Sequence, residues 1–160
     1  MTTGRGFTMI EMLVVVAIVA ILALMAVPAL QERIVREQVA AAVPLADVAK
    51  PPIAAAWTAT QTFPADNAAA GLPIPDKIVS NYISSVAIAN GAIHMTFGNS
   101  ASAALKGKIL TIRPAIVDDA PIVPITWICG NAEWPVAMKI RGENKTDLPA
   151  VFLPVICRAR

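Results

Sequence analysis

The chain has 160 residues, with 13 basic and 11 acidic side chains and a formal net charge of +2. That is room for one domain, and the near-neutral balance argues against nucleic acid as an obligatory partner. Apolar residues make up 56 % of it, above the roughly 45–50 % of soluble domains, so part of the chain needs an apolar setting of its own.

That part comes first. Met12 to Leu30 is nineteen residues without a charge or a hydrogen-bonding side chain. As a helix it spans roughly 28 Å, about one bilayer hydrocarbon core. Eleven of the nineteen are Leu, Ile or Val, which together favour insertion by roughly 3 to 7 kcal/mol. One acid, Glu11, stands just inside its start, where a carboxylate is costly in lipid and so points to function. A conventional signal peptide, cut after Ala29, is the competing reading of the same run. It leaves Glu11 and the Gly6-Phe7 step unexplained.

The run G-F-T-M-I-E at Gly6–Glu11, followed by the apolar helix, resembles the processing site and stem of type IV pilins. The resemblance implies a leader over 1–6, a prepilin peptidase cut between Gly6 and Phe7, and N-methylation of Phe7. It makes 7–30 a transmembrane and filament-core helix, and 31–160 a periplasmic or extracellular domain that includes the upper half of the helix. Glu11 becomes the fifth mature residue, placed to pair with the Phe7 amine of a neighbouring stem and so to guide assembly. The alternative role for Glu11 is to mark the membrane interface and favour the helix N-terminus. Pro28 falls at the position of a stem proline, with possible unwinding of Val14–Ala29 during assembly. The implied partners are further copies in a helical filament, the peptidase, an assembly ATPase and an inner-membrane platform protein. The implied location is the inner membrane before assembly and an extracellular pilus, or fimbrium, afterwards.

Beyond the stem, Leu30, Ile34, Ala41, Leu45 and Val48 recur at helical spacing and predict one buried stripe. Glu32–Arg36 and Arg33–Glu37 are opposite-charge pairs four residues apart on the other side. Pro44 is expected to kink this helix, and Pro51-Pro52 to kink or end it, with Ile53 to Trp57 as a continuation. Pro64, Gly71, Pro73 and Pro75 punctuate a loop over 60–81.

Asn90-Gly91 centres a type I′ hairpin over 82–98. It sets Ile88 opposite Ile93 and Val86 opposite Met95, with Phe97 on the same face and Ala92, His94 and Thr96 on the other. Lys108–Arg113 and Ile122–Cys129 are the next strands, with Pro114 and Pro121 bracketing the loop between them. Short strands are possible at Val136–Ile140 and Val151–Ile156. The expected class is α+β: a long N-terminal helix packed on an antiparallel sheet of about four strands.

Cys129 and Cys157, in a chain with a membrane-targeting segment, read as a disulfide formed outside the cytoplasm, with two buried thiols as the alternative. Trp127–Gly130 (W-I-C-G) and Leu153–Cys157 (L-P-V-I-C) also resemble the disulfide-closed C-terminal region of type IV pilins. Closing that segment would stabilise the fold by roughly 3–4 kcal/mol.

No phosphate loop, metal-ligand spacing or catalytic pairing stands out, so no cofactor, metal or enzymatic activity is expected. His94, the only histidine, reads as a surface residue on the hairpin's polar face rather than a base for Ser84, Ser85, Ser100 or Ser102. Asp118-Asp119 with Asp147 reads as solvated acids before a calcium site. Lys106, Lys108 and Arg113 read as a solvated strand edge. The reading is a pilus subunit, serving adhesion, twitching motility or DNA uptake. A pseudopilin of a type II secretion system, which a firm calcium site would favour, and a secreted binding domain or enzyme are the alternatives.

Overall fold

The computed structural model describes residues 6–159, with the side chains of 27–29 left aside. The chain divides into two compact units, Met1–Ile34 and Val35–Arg160. Most of the expected leader lies outside the described residues, as does the side chain of Pro28.

In the first unit the helix α1 begins at Met9; the element as a whole is Met9–Ala42. Its backbone is helical throughout Val14–Ala29. Every described side chain from Phe7 to Ile34 is exposed. By length and composition the helix can cross a membrane.

In the second unit α1 ends at Ala42, two residues before Pro44, which cannot donate to the α-helical ladder. Val43–Val48 continues as a 3-10 turn, and α2 follows at Lys50–Thr60. Pro51-Pro52 therefore opens a helix rather than kinking or ending one. Prolines fit the first turn, whose N–H groups have no intrahelical acceptor anyway.

The buried stripe is also not the expected one. Val35, Val39, Ala42, Ala46, Ala49 and Ile53 line the core, whereas Val48 is 50 % exposed and Ala41 and Leu45 are exposed and half-buried. In the first unit Leu30 and Ile34 are 58 % and 54 % exposed. Two apolar sets wind along this helical stretch. The sheet takes the one richer in alanine.

The sheet is antiparallel in the order β1 (Ile83–Ala89), β2 (Ala92–Phe97), β3 (Ile109–Ile116), β4 (Thr126–Cys129). The two-residue β5, Lys139–Ile140, pairs with β3. Ala115 faces Thr126 of β4 on one side and Ile140 of β5 on the other, so β5 continues the line of β2. The hairpin register is as expected, Ile88 on Ile93 and Val86 on Met95. Asn90 and Gly91 have φ of 50° and 82°, both left-handed as a type I′ turn requires. A Cβ on Gly91 would sit 2.7 Å from the Phe63 ring, so glycine is needed for space as well.

Pro114 lies inside β3 instead of bounding a loop, opposite Trp127. Its carbonyl accepts the Arg141 N–H at 2.9 Å, on the side where β2 has ended and β5 begins. No ladder donor is needed there, which is where a strand tolerates proline. β4 begins at Thr126, not Ile122, and the segment expected as a last strand holds only a short 3-10 turn at Val155–Cys157.

The outer edge of β1 is covered. Pro64 and Ala65 carbonyls accept the N–H groups of Gly91 and Asn90. Asn67, 5 % exposed, accepts the Ile88 N–H at 2.7 Å and donates to the Val86 and Pro73 carbonyls at 3.0 and 2.9 Å.

Candidate assembly site

A helix start leaves N–H groups without intrahelical acceptors. At α1 they meet a reciprocal pair. The Glu11 N–H donates to Thr8 Oγ1 at 3.3 Å, and the Thr8 N–H donates to Glu11 Oε2 at 3.5 Å. This is a capping box, T-x-x-E directly before an apolar run. The signal was present in T-M-I-E but was not drawn from the sequence. It orients the carboxylate of Glu11 toward the chain's N-terminal side. Around it, Phe7, Met9, Ile10 and Met12 are all exposed. The described side chains of Met12–Leu30 thus present an apolar surface with one acid, Glu11, before its start, and among the described residues no atom lies within 4 Å of where a Cβ on Gly6 would stand.

At the other end, Cys129 and Cys157 are bonded, with an S–S distance of 2.05 Å and a sequence separation of 28. Both are buried, and it is the bond between them that overturns the reading as two buried thiols. The bond ties the end of β4 to the last 3-10 turn. The Asn131 N–H donates to the Cys157 carbonyl at 3.0 Å.

His94 corrects an expectation. It is 5 % exposed, not a surface residue. Its Nδ1 lies 2.9 Å from Thr111 Oγ1, and no bond to a serine hydroxyl is present among the described residues. Burial, the main cause, and the Lys145 charge both push its pKa below the ordinary value, against a smaller opposing effect of Glu143.

The acids of the supposed cation site are held apart by their own partners. Asp118 takes a hydrogen bond from Lys139 and another from Arg141 at 3.1 Å. The bond from Lys139 chiefly, with both cations' charges, holds its carboxyl below the usual range. Asp147 accepts the Ile109 N–H at 2.6 Å and faces Lys108 Nζ at 3.6 Å. Among the described residues no three His, Cys, Asp or Glu side chains converge on a metal-sized site. Arg113 is not a solvated edge residue either. It is half-buried, donates to the Gly130 carbonyl at 3.3 Å, and burial lowers its pKa.

Comparison with known proteins agrees with the stem and with the domain. A family described as pilin (bacterial filament) matches residues 35–158, and one described as a prokaryotic N-terminal methylation motif matches residues 1–27. The chain is 31 % identical to the type IV major pilin protein PilE of Neisseria gonorrhoeae, over 98 % of this chain and 95 % of that one. It is 34 % identical to a fimbrial protein of Neisseria meningitidis serogroup A, over 93 % of this chain and 84 % of that one. It is also 34 % identical to the fimbrial protein EcpC of Eikenella corrodens, over 96 % and 90 %. With an exposed apolar stem, a helix-backed antiparallel sheet and a disulfide-closed tail, the chain belongs to the type IV pilin family and is a structural subunit of a pilus filament.

Proposed function

We propose that the chain is made with the leader 1–6, cut between Gly6 and Phe7 by a prepilin peptidase, methylated on the Phe7 amine, and held in the inner membrane by 7–30 until it is assembled. Residues 31–160 then form the part displayed on the filament, outside the cell. An assembly ATPase and an inner-membrane platform protein drive the transfer, and the chain itself has no catalytic role. The observation that carries this reading is the stem. All its described side chains are exposed, and lipid or other stems are the two surroundings that satisfy such a surface. In the Asp118-Asp119 loop, where a firm calcium site would favour the secretion-system reading, Asp118 is engaged by Lys139 and Arg141.

Mass spectrometry of the mature N-terminus tests the proposal. The expected chain starts at methylated Phe7, and Gly6→Val leaves the leader attached, because a bulky side chain obstructs the scissile bond. A chain starting at Leu30 would mean an ordinary signal peptide and would overturn it.

A further inference from the structure

The polar group that the filament role leaves unused is His94. It lies on the face of the sheet opposite the helix-packed core, directly across from Thr111. The Thr111 hydroxyl also accepts the backbone N–H of Lys145 at 3.1 Å. When the ring is neutral with its proton on Nε2, the hydroxyl hydrogen is available to His94 Nδ1. The ring's Nε2 is buried and has no hydrogen-bond partner among the described residues.

Lys145 belongs to a strap, residues 143–147, that follows the edge of β3 beyond the end of β4. The strap has no regular secondary structure. It is held by the Lys145–Thr111 bond, by the Thr111 N–H donating to Thr146 Oγ1 at 3.0 Å, by Asp147, whose N–H donates to the Ile109 carbonyl at 3.2 Å and whose Oδ1 accepts the Ile109 N–H, and by Asn144 Nδ2 donating to Asn131 Oδ1. The first two of these five pass through Thr111. A segment without regular structure, attached along one edge, opens more easily than the sheet beneath it.

The groups facing the ring favour its neutral form. β1 offers only Ala87 across from it. β3 carries Arg113 on the same face, two residues from Thr111. The strap contributes Lys145 and Glu143, themselves 3.7 Å apart as an ion pair, and Asp147 is engaged with Lys108. A second proton on the imidazole would enter a buried site beside the Lys145 charge, with the already paired Glu143 as the weaker opposing charge. It would turn Nδ1 into a donor, leaving the Thr111 oxygen to accept two N–H groups and the Thr111 hydroxyl hydrogen without its acceptor.

We propose that His94 and Thr111 form an acid-sensitive clasp, in which protonation of the ring releases the strap 143–147 from the edge of β3. The sign follows from the buried ring. Its folded pKa lies below the ordinary 6.5, so the opened or unfolded chain binds the proton more readily. The clasp is fully formed above about pH 6.5 and weakens as the pH falls from there toward the folded pKa. The strap is part of the displayed domain, so the surface offered by the filament would change between neutral and mildly acid surroundings.

The test is hydrogen exchange by mass spectrometry on the full-length chain in detergent micelles, from about pH 7.5 to about pH 5, corrected for intrinsic exchange rates. Protection of peptides spanning 141–149 is expected to fall by up to about tenfold per pH unit below about 6.5, while that of α2 holds. His94→Asn, which keeps an acceptor near the position of Nδ1 but does not titrate, is expected to flatten the profile. Strap protection that does not change with pH in the wild type overturns the proposal. So does acid loosening that persists in His94→Asn, which would assign the effect to Glu143 or Asp147. Should that variant fail to fold, C2–H exchange of the chain's only histidine reads its titration directly. A midpoint at or above 6.5 overturns the proposal equally.

Discussion

Glu11 makes one kind of bond within its own chain and is proposed to make another between copies, and the two are separable. Within one chain its carboxylate caps the helix by accepting the Thr8 N–H. A carboxylate has about four lone-pair sites, so accepting that bond leaves room for a cation from a neighbouring copy. Cleavage after Gly6 would put a positive Phe7 amine beside it. Removing one member of such a buried pair strands the other charge, at about 3–5 kcal/mol. Glu11→Ala is therefore expected to leave a stable, inserted and cleaved protein that builds few filaments, and Glu11→Asp to assemble poorly. Thr8→Ala removes only the cap's hydroxyl, worth about 1 kcal/mol, and should retain filaments. Electron microscopy of cells carrying each variant separates the roles. Normal filament numbers with Glu11→Ala would leave capping as its whole contribution.

At the scale of elements, what the sequence made legible follows the locality of its causes. Asn90-Gly91 fixes its own turn, and the alternation around it fixes the hairpin register, so Ile88 and Ile93 meet as expected. The helical stripe has no such local cause. Leu45 and Val48 are larger than Ala46 and Ala49, yet the alanines are fully buried. Tertiary packing decided which of the two sets meets the sheet, and periodicity alone does not encode that choice. The Pro51-Pro52 pair was ambiguous for a related reason, since proline marks a boundary without saying whether it is an end or a start. The choice of stripe has a measurable consequence. Ala46→Leu forces three carbons into a filled core and is expected to cost about 1–3 kcal/mol, whereas Val48→Leu on the exposed side should fall within about 0.5 kcal/mol of wild type. Denaturant unfolding of the full chain in detergent reads both. Equal effects would mean that the two faces are packed alike.

Across the whole molecule, sequence reasoning was weakest in the C-terminal third. From Gly130 onward the chain has one two-residue strand and one three-residue 3-10 turn and is otherwise tied by scattered backbone bonds and by side chains, as in Asn144 Nδ2 donating to Asn131 Oδ1 at 2.8 Å and Arg158 Nε donating to the Leu153 carbonyl at 2.7 Å. Such bonds join residues with no common period, so neither they nor the burial of His94 could be read from a pattern. The disulfide was readable because two cysteines allow one pairing. Cys129→Ser is expected to remove roughly 3–4 kcal/mol by the loop-closure model, seen as a lowered unfolding midpoint in non-reducing conditions. A midpoint equal to that of the wild type would mean that the side-chain ties alone hold the tail.

A subunit made to polymerise faces a hazard that other proteins meet only when they fail. Neighbours are held close for long periods, and any unsatisfied row of backbone donors and acceptors is a second way to join them. Asn67 occupies that row on β1, matching the Ile88 N–H and Val86 carbonyl as a paired strand would. Asn67→Ala is expected to expose them and to yield thioflavin-binding aggregates from purified protein, where the wild type gives none; clear solutions of the variant would show that the Pro64 and Ala65 bonds suffice. With aggregation as the outcome, one amide side chain closes the sheet route to a polymer and leaves growth to the exposed apolar stem.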